Sequence, residues 1–141
     1  MPRPGREGRA LVGVELDQES FERGWANAMG TPPPDFMGEW GRFAGAVGFG
    51  DIWTREHLSN REKRLVILTV LSLYGREDIM RMHLGASMRK GELDADELDE
   101  FAIVLSAYAG LPVGTAFTGL AARLRAEMAE AAEAAEAGDD A

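Results

Sequence analysis

The chain has 141 residues, 45% of them hydrophobic, and a formal net charge of −9 at pH 7, which together predict one acidic domain with a core able to fold alone. It has no cysteine, so disulfides, a thiol nucleophile, a redox pair and thiolate metal sites are excluded. The acidic charge argues against a nucleic-acid partner, and no apolar run approaches the roughly 18 residues of a membrane span, so we expect a cytoplasmic protein without a membrane partner.

The first part of the chain carries helix signals but no hairpin signal. We expect residues 1–17 to form a flexible N-terminal arm and a helical domain to extend over residues 18–125. Its first helix is predicted at residues 18–29. A second helix is predicted to start through the stretch TPPPDF at residues 31–36, since proline is tolerated in a first helical turn.

Ser59 and Glu62 match the capping-box pattern that begins many helices. Residues 65–74 are rich in valine, isoleucine and leucine, so periodicity alone allows a buried strand, but the capping box and the length favour a helix. Gly75 is predicted to end this helix. A further helix is expected between the Gly75 and Gly91 breaks, with His83 near its middle.

Asp94 and Glu97 repeat the capping pattern before a helix at residues 96–109, which Gly110 ends. Apolar residues lie on several sides of this helix. We therefore expect it to be buried on several sides, partly by a homo-oligomeric interface. A last helix is predicted at residues 113–135, and residues 126–141 are read as an acidic, alanine- and glutamate-rich solvated tail. The whole pattern predicts an all-α bundle of about six helices.

Aromatic residues outside the candidate site are assigned to packing. The spacing of Tyr108 along its helix predicts core packing, whereas Trp25 and Trp40 are expected to fill an adaptable core or an interface.

Residues 23–124 carry a set of anchors in a recognisable order, and this stretch resembles the carboxymuconolactone decarboxylase family. The anchors are Gly50-Asp51-Ile52-Trp53-Thr54-Arg55, Gly75-Arg76, His83 with Ala86 and Gly91, and Tyr108-Ala109-Gly110-Leu111-Pro112. The resemblance implies an all-helical fold and a homo-oligomer, a trimer or hexamer. The related alkylhydroperoxidase D-type peroxidases use a CxxC pair, where this chain has Arg76 and Ile79, so it cannot run the peroxidase reaction.

The implied reaction is loss of CO₂ from a carboxylated lactone without a cofactor. The electron pair left behind spreads onto the lactone carbonyl, so the protein must orient carboxylates, stabilise an oxyanion and supply a proton to carbon. Histidine suits the last two roles and arginine suits carboxylates, so His83 and Arg76 are the catalytic candidates. On a continuous helix, these two residues would project from one face.

The remaining candidates are expected to bind an anionic small-molecule substrate, and each has a plainer alternative. Asp51 and Arg55 could line the site around Trp53 or pair with each other at the surface. Further substrate-binding candidates are Lys63, Arg64 and Thr115, whereas His57 is a weaker candidate. We expect no metal, because two histidines far apart on different elements have no usual ligand spacing.

Several positions depart from the family pattern where ligands would bind. Family members commonly carry arginine at Lys63, a small or acidic residue at Arg64, and asparagine at Lys90 and Thr115. Three functions therefore stay open. The chain could be a lyase for a small carboxylated lactone, a tailoring enzyme of secondary metabolism that decarboxylates, dehydrates or cyclises another substrate, or a non-catalytic oligomeric binding protein.

Overall fold

The computed structural model describes residues 18–34 and 38–139, apart from the side chain of Arg42. Within these residues the chain is all-α, with six α-helices and no strand, which confirms the predicted fold class. The predicted arm at residues 1–17 lies outside the described residues. The domain limits at residues 18 and 125 stay predictions.

The α-helices follow one another with short connections. A π-helical turn and a short 3₁₀ turn lie between the second and third. In chain order the elements are α1 (Gln18–Met29), α2 (Gly38–Gly45), the π turn (Ala46–Asp51), the 3₁₀ turn (Ile52–Thr54), α3 (Asn60–Leu73), α4 (Glu77–Arg89), α5 (Ala95–Ala109) and α6 (Leu111–Asp139).

The predicted helix at residues 18–29 agrees with α1, whereas the expected start of the second helix was wrong. The prolines at residues 32–34 precede α2 and do not occupy its first turn. Prolines favour extended backbone in the residues before them, which explains why they separate the two helices. The last helix is longer than predicted at both ends, and in the described residues beyond Met128, at 129–138, every side chain is exposed.

The chain divides into two compact units, one ending at Asn60 and the other beginning at Arg61. The first unit is organised around an aromatic cluster in which the rings of Trp25 and Phe49 have centroids 4.7 Å apart and Phe21 meets Trp25 edge to face at 6.0 Å. Gly24 allows α1 to approach the π turn, because a Cβ there would lie 1.8 Å from the carbonyl oxygen of Phe49.

The second unit has an apolar core supplied by α3, α4, α5, α6 and the segment between α4 and α5. Its buried members are Leu68, Met80, Leu84, Leu93, Leu98, Ala102, Leu105, Phe117, Leu120, Ala121 and Leu124. Because α4 contributes to this core from its middle, its backbone is held by packing on the same turns that carry His83.

Both ends of α4 are set by glycines with left-handed backbone. Gly75 and Gly91 each have a φ of 64°, a conformation that side-chain-bearing residues rarely adopt. After Gly91, the Glu92 amide donates to the carbonyl oxygen of Ser87 at 2.9 Å, which is the bond that closes a Schellman turn. The backbone of Glu92 is therefore fixed relative to the end of α4.

The capping signals read from the sequence mark two helix starts. In α5, the Asp94 carboxylate accepts from the Glu97 amide at 2.9 Å, and the Glu97 carboxylate accepts from the Asp94 amide at 2.9 Å, so the predicted capping box is confirmed. Helix α3 begins at Asn60, directly after Ser59, which agrees with the predicted start and with the preference for a helix over a strand.

Two aromatic residues that were assigned to packing are exposed. Tyr108 is 91% exposed, so its predicted core packing was wrong. Trp40 is 77% exposed, so an interface position stays a prediction for it, whereas Trp25 is buried. A helix advances about 100° per residue, so Tyr108 lies about 80° around α5 from Leu98 and has left the face that points into the core.

Helices α3 and α5 also expose large aliphatic side chains. They are Val66, Val70 and Leu73 on α3, and Ile103 and Val104 on α5. Within residues 18–34 and 38–139, no helix has the length and apolarity needed to cross a membrane. The exposed aliphatic side chains of α3 and α5 form apolar surface of the kind that is typical of protein interfaces.

We predict that these surfaces are covered by further copies of the chain. Sedimentation at micromolar concentration should show a trimer or hexamer, and Val70→Glu should shift the distribution to smaller species because it would bury a charge in the interface. Glu100→Gln, an exposed change on α5, serves as the control. A strict monomer at all concentrations would contradict the interface.

Candidate functional site

His83 lies in the middle of α4, where its side chain faces the protein interior. The residue is 5% exposed, and its neighbours Leu84, Gly85, Ala86 and Ser87 are also buried. The histidine predicted to carry the chemistry is therefore not a surface residue.

The imidazole of His83 is hydrogen-bonded to a buried arginine from α3. The Nη1 atom of Arg64 lies 2.8 Å from Nδ1 of His83, and Arg64 is 0% exposed. A guanidinium is protonated at any ordinary pH and has no acceptor, so it must be the donor in this contact. Nδ1 of His83 therefore accepts, and a neutral ring carries its hydrogen on Nε2.

Glu92 compensates the charge of Arg64 from the turn that follows α4. Its carboxylate accepts from Nε of Arg64 at 2.8 Å and from Nη2 at 3.4 Å, and Nζ of Lys90 lies 3.1 Å from the same carboxylate. The forked contact of a guanidinium with a carboxylate is the strongest kind of ion-pair geometry. Arg64, His83 and Glu92, with Lys90 at the edge, form what we call the Arg64 cluster.

The surroundings of the Arg64 cluster shift two pKa values downward. Burial lowers the pKa of His83 most, the positive charge of Arg64 lowers it further and Glu92 opposes both, so that the pKa is about 4. Burial raises the pKa of Glu92, but hydrogen bonds and charges from Arg64 and then Lys90 outweigh this, so its pKa lies below the usual value. At neutral pH the cluster thus contains a neutral imidazole and an ionised carboxylate.

Arg76, the second catalytic candidate, differs from His83 in burial and in backbone. It is the N-cap residue of α4, so it precedes the helix. The prediction that Arg76 and His83 project from one helix face required Arg76 to be helical. Its Nη2 and Nε atoms donate to the two carboxylate oxygens of Asp78 at 2.8 and 3.0 Å. The Arg76 hydrogen bond is the main cause that lowers the pKa of Asp78 to about 2. Any substrate carboxylate at Arg76 must compete with Asp78.

Asp51, Trp53 and Arg55 lie in the first unit. Asp51 and Arg55 form an ion pair at 3.2 Å with both side chains more than a third exposed, as the surface-pair alternative expects, while a role in lining the site stays a prediction. Trp53 is 2% exposed, and its carbonyl oxygen accepts from Nδ2 of Asn27 at 2.6 Å. These contacts fix the backbone of the 3₁₀ turn.

The remaining candidates are divided between buried and exposed positions. Lys63 is buried on α3 beside Arg64, whereas Thr115 on α6 and His57 are exposed. Among the sequence-predicted site residues, the structure shows direct side-chain contacts between His83 and Arg64 and between Asp51 and Arg55.

Glu92 was missed as a site residue. It lies 28 positions beyond Arg64 in the sequence, and a charged residue after a helix is usually read as solvated. A usable signal was present in the Gly91 break, because a glycine at that position predicts a turn that fixes the next residue. Within the described parts of the chain, no three histidine, aspartate or glutamate side chains are grouped to hold a metal ion.

The fold and the Arg64 cluster define an all-α protein with a buried, charge-linked histidine. The family model described as the carboxymuconolactone decarboxylase family matches residues 38–123. A 4-carboxymuconolactone decarboxylase from Acinetobacter baylyi is 34% identical over 110 residues, which cover 78% of this chain and 81% of that protein. The chain therefore belongs to the carboxymuconolactone decarboxylase family.

We predict that His83 makes stability depend on pH. Because its folded pKa of about 4 lies below the ordinary value of 6.5, the unfolded chain binds more protons between these values. The free energy of unfolding should fall as the pH drops from about 6.5 to about 4, by at most about 1.4 kcal/mol per pH unit from this group.

Denaturant unfolding of wild type and His83→Gln over this range isolates the effect, since the acidic residues are common to both. The wild type should have the steeper pH dependence. Equal slopes would show that the imidazole is no harder to protonate in the folded chain.

Proposed function

We propose that the chain is a cofactor-free lyase that removes CO₂ from a small carboxylated lactone, with His83 as the acid/base or oxyanion-stabilising group. Family membership and the activity for which the Acinetobacter baylyi relative is named support the reaction class. The observation that carries the proposal is the buried His83 held by Arg64, because a solvent-shielded ring with a fixed orientation is what such chemistry requires.

The reaction makes modest demands on the protein. The bond from the ring carbon to the carboxylate breaks, CO₂ leaves, and the electron pair moves through the conjugated ring onto the lactone carbonyl oxygen. The enolate then takes a proton on carbon to give the product lactone. His83 would act at the carbonyl oxygen or at this proton, while cationic side chains such as Arg76 and Lys63 would orient the substrate carboxylates.

A specific observation favours a second candidate. The fork of Arg64 is directed at Glu92, within the protein, although cations in this region were expected to bind substrate carboxylates. A substrate with one carboxylate, decarboxylated or dehydrated by a tailoring enzyme of secondary metabolism, would suit this arrangement. The two candidates share His83 and differ in the number of carboxylates that the substrate carries.

We predict that His83→Ala lowers kcat/KM on 4-carboxymuconolactone by about 10² to 10⁴-fold, the usual worth of acid–base or oxyanion groups. CO₂ release measures the activity, and a thermal melt confirms that the variant folds. His57→Ala, a change at the exposed histidine, should keep wild-type turnover. Exhaustive chelation should also leave activity intact.

Full turnover in folded His83→Ala would refute the catalytic assignment. Absence of turnover in the wild type, with ligand binding retained, would favour a binding protein. Turnover of a monocarboxylate but not of 4-carboxymuconolactone would favour the tailoring enzyme.

A separate prediction concerns Arg76. If its guanidinium binds a second substrate carboxylate, Arg76→Ala should raise the Kd of dicarboxylate ligands more than that of their monoesters. Asp78→Asn should strengthen dicarboxylate binding, because it removes the carboxylate that competes for Arg76. Calorimetric titration compares the six combinations of the wild type and two variants with the dicarboxylate and its monoester. Equal weakening for both ligands would make Arg76 structural.

A further inference from the structure

The contact between Arg64 and His83 decides which ring nitrogen carries hydrogen. Nη1 of Arg64 donates to Nδ1 at 2.8 Å, so Nδ1 keeps its lone pair for this bond. The alternative neutral tautomer would place a hydrogen on Nδ1, pointing at a guanidinium that has only donors. That arrangement would leave two buried donors facing each other.

The charge nearest to the ring also favours the neutral state, and the more distant carboxylate of Glu92 opposes it only in part. Arg64 from α3 contacts the ring, Glu92 from the turn after α4 contacts Arg64, and Lys90 at the end of α4 contacts Glu92. These three groups carry two positive charges and one negative charge. A third positive charge on a buried imidazole would therefore be repelled by its nearest charged neighbour, and the protonated ring could not accept from Arg64.

We infer that Arg64 is a positioning residue that holds His83 as the neutral Nε2–H tautomer, so that His83 stabilises the enolate by donating a hydrogen bond and does not transfer a proton. The catalytic half of this inference rests on the proposed function, whereas the tautomer does not. A neutral imidazole that polarises a carbonyl is an established way to stabilise an enolate.

The step balances without proton transfer from His83. The carbon–carboxylate bond breaks, CO₂ leaves, and the electron pair comes to the lactone carbonyl oxygen, where Nε2–H of His83 donates a hydrogen bond. A water molecule then supplies the proton that the ring carbon takes, and the hydroxide left behind combines with the released CO₂ to give bicarbonate. His83 begins and ends the cycle in the same protonation state.

Glu92 has a distinct part in this arrangement. Its carboxylate accepts hydrogen bonds from Nε and Nη2 of Arg64, which leaves Nη1 directed at the imidazole of His83. Glu92 thus orients the guanidinium that orients the ring. Glu92→Gln should weaken this orientation and should lower kcat more than it raises KM, because the substrate carboxylates are not bound by Glu92.

The tautomer is tested directly by nitrogen-15 NMR of the wild-type protein. The chain has two histidines, so the spectrum of His57→Gln assigns the signals of His83. At pH 7 we expect a neutral ring with hydrogen on Nε2 and none on Nδ1. A ring protonated on Nδ1, or an imidazolium at pH 7, would overturn the inference whether or not a substrate is known.

Variants test what Arg64 does. Arg64→Met removes the donor to Nδ1 and the adjacent positive charge, so the pKa of His83 should rise and its signals should show a mixture of tautomers. Arg64→Lys keeps a charged donor and should restore part of the Nε2–H signature. Arg61→Met on the same helix breaks an exposed ion pair with Glu97 and should leave the His83 signals unchanged.

Activity separates the two roles of His83. His83→Gln keeps an N–H donor but cannot transfer a proton, so its kcat should stay at least 10-fold above that of His83→Ala, as expected when a donor is worth about 10² to 10³-fold. Equal loss in both variants, with the Nε2–H tautomer seen by NMR, would overturn the donor role. If the wild type turns over no lactone while the tautomer is as expected, the proposed function fails and the positioning role of Arg64 stands.

Discussion

The buried guanidinium of Arg64 is the constraint on which the candidate site depends. An ion this far from water costs several kcal/mol unless its hydrogen bonds are met. Glu92 and His83 satisfy different edges of the same planar group, so the position of each is tied to the other. Removing Glu92 would leave an uncompensated buried charge, a change that typically costs about 3 to 5 kcal/mol. The cluster is therefore as much a structural element as a chemical one.

The chain holds this cluster together through local features that the sequence displays. Gly75 and Gly91 break the helices with left-handed backbone, and the capping box of Asp94 and Glu97 starts α5 directly after the turn that carries Glu92. Such features were predicted because each depends on residues within a few positions of one another. The same reasoning located His83 in the middle of a helix. Local signals were thus sufficient for the elements and for the placement of the central residue.

Other features depended on contacts that no local pattern contains. The contact between Arg64 and Glu92 was not predicted, because a sequence shows the charge of Arg64 but not the direction of its side chain, and Glu92 lies in another element. Tyr108 was predicted to pack because helical spacing shows which residues share a side but not where the core ends. Arg76 was expected to continue α4, but Asp78 and the Gly75 break place it at the cap. Each miss concerns a tertiary partner or a boundary.

The neutral state of His83 suits the proposed reaction because the negative charge of the substrate changes its position during the reaction. Before CO₂ leaves, the negative charge is concentrated on the carboxylate, and afterwards it is spread over the enolate. A full positive charge on His83 would stabilise the carboxylate of the substrate as well, and such uniform binding does not lower the barrier. A neutral N–H donor placed at the carbonyl oxygen responds mainly to the charge that develops there. In the proposed reaction, the ion pair of Arg64 with Glu92 would keep this guanidinium from binding the substrate carboxylate. Under the proposed function, the internal ion pair of Arg64 and Glu92 would thus favour the transition state over the bound substrate.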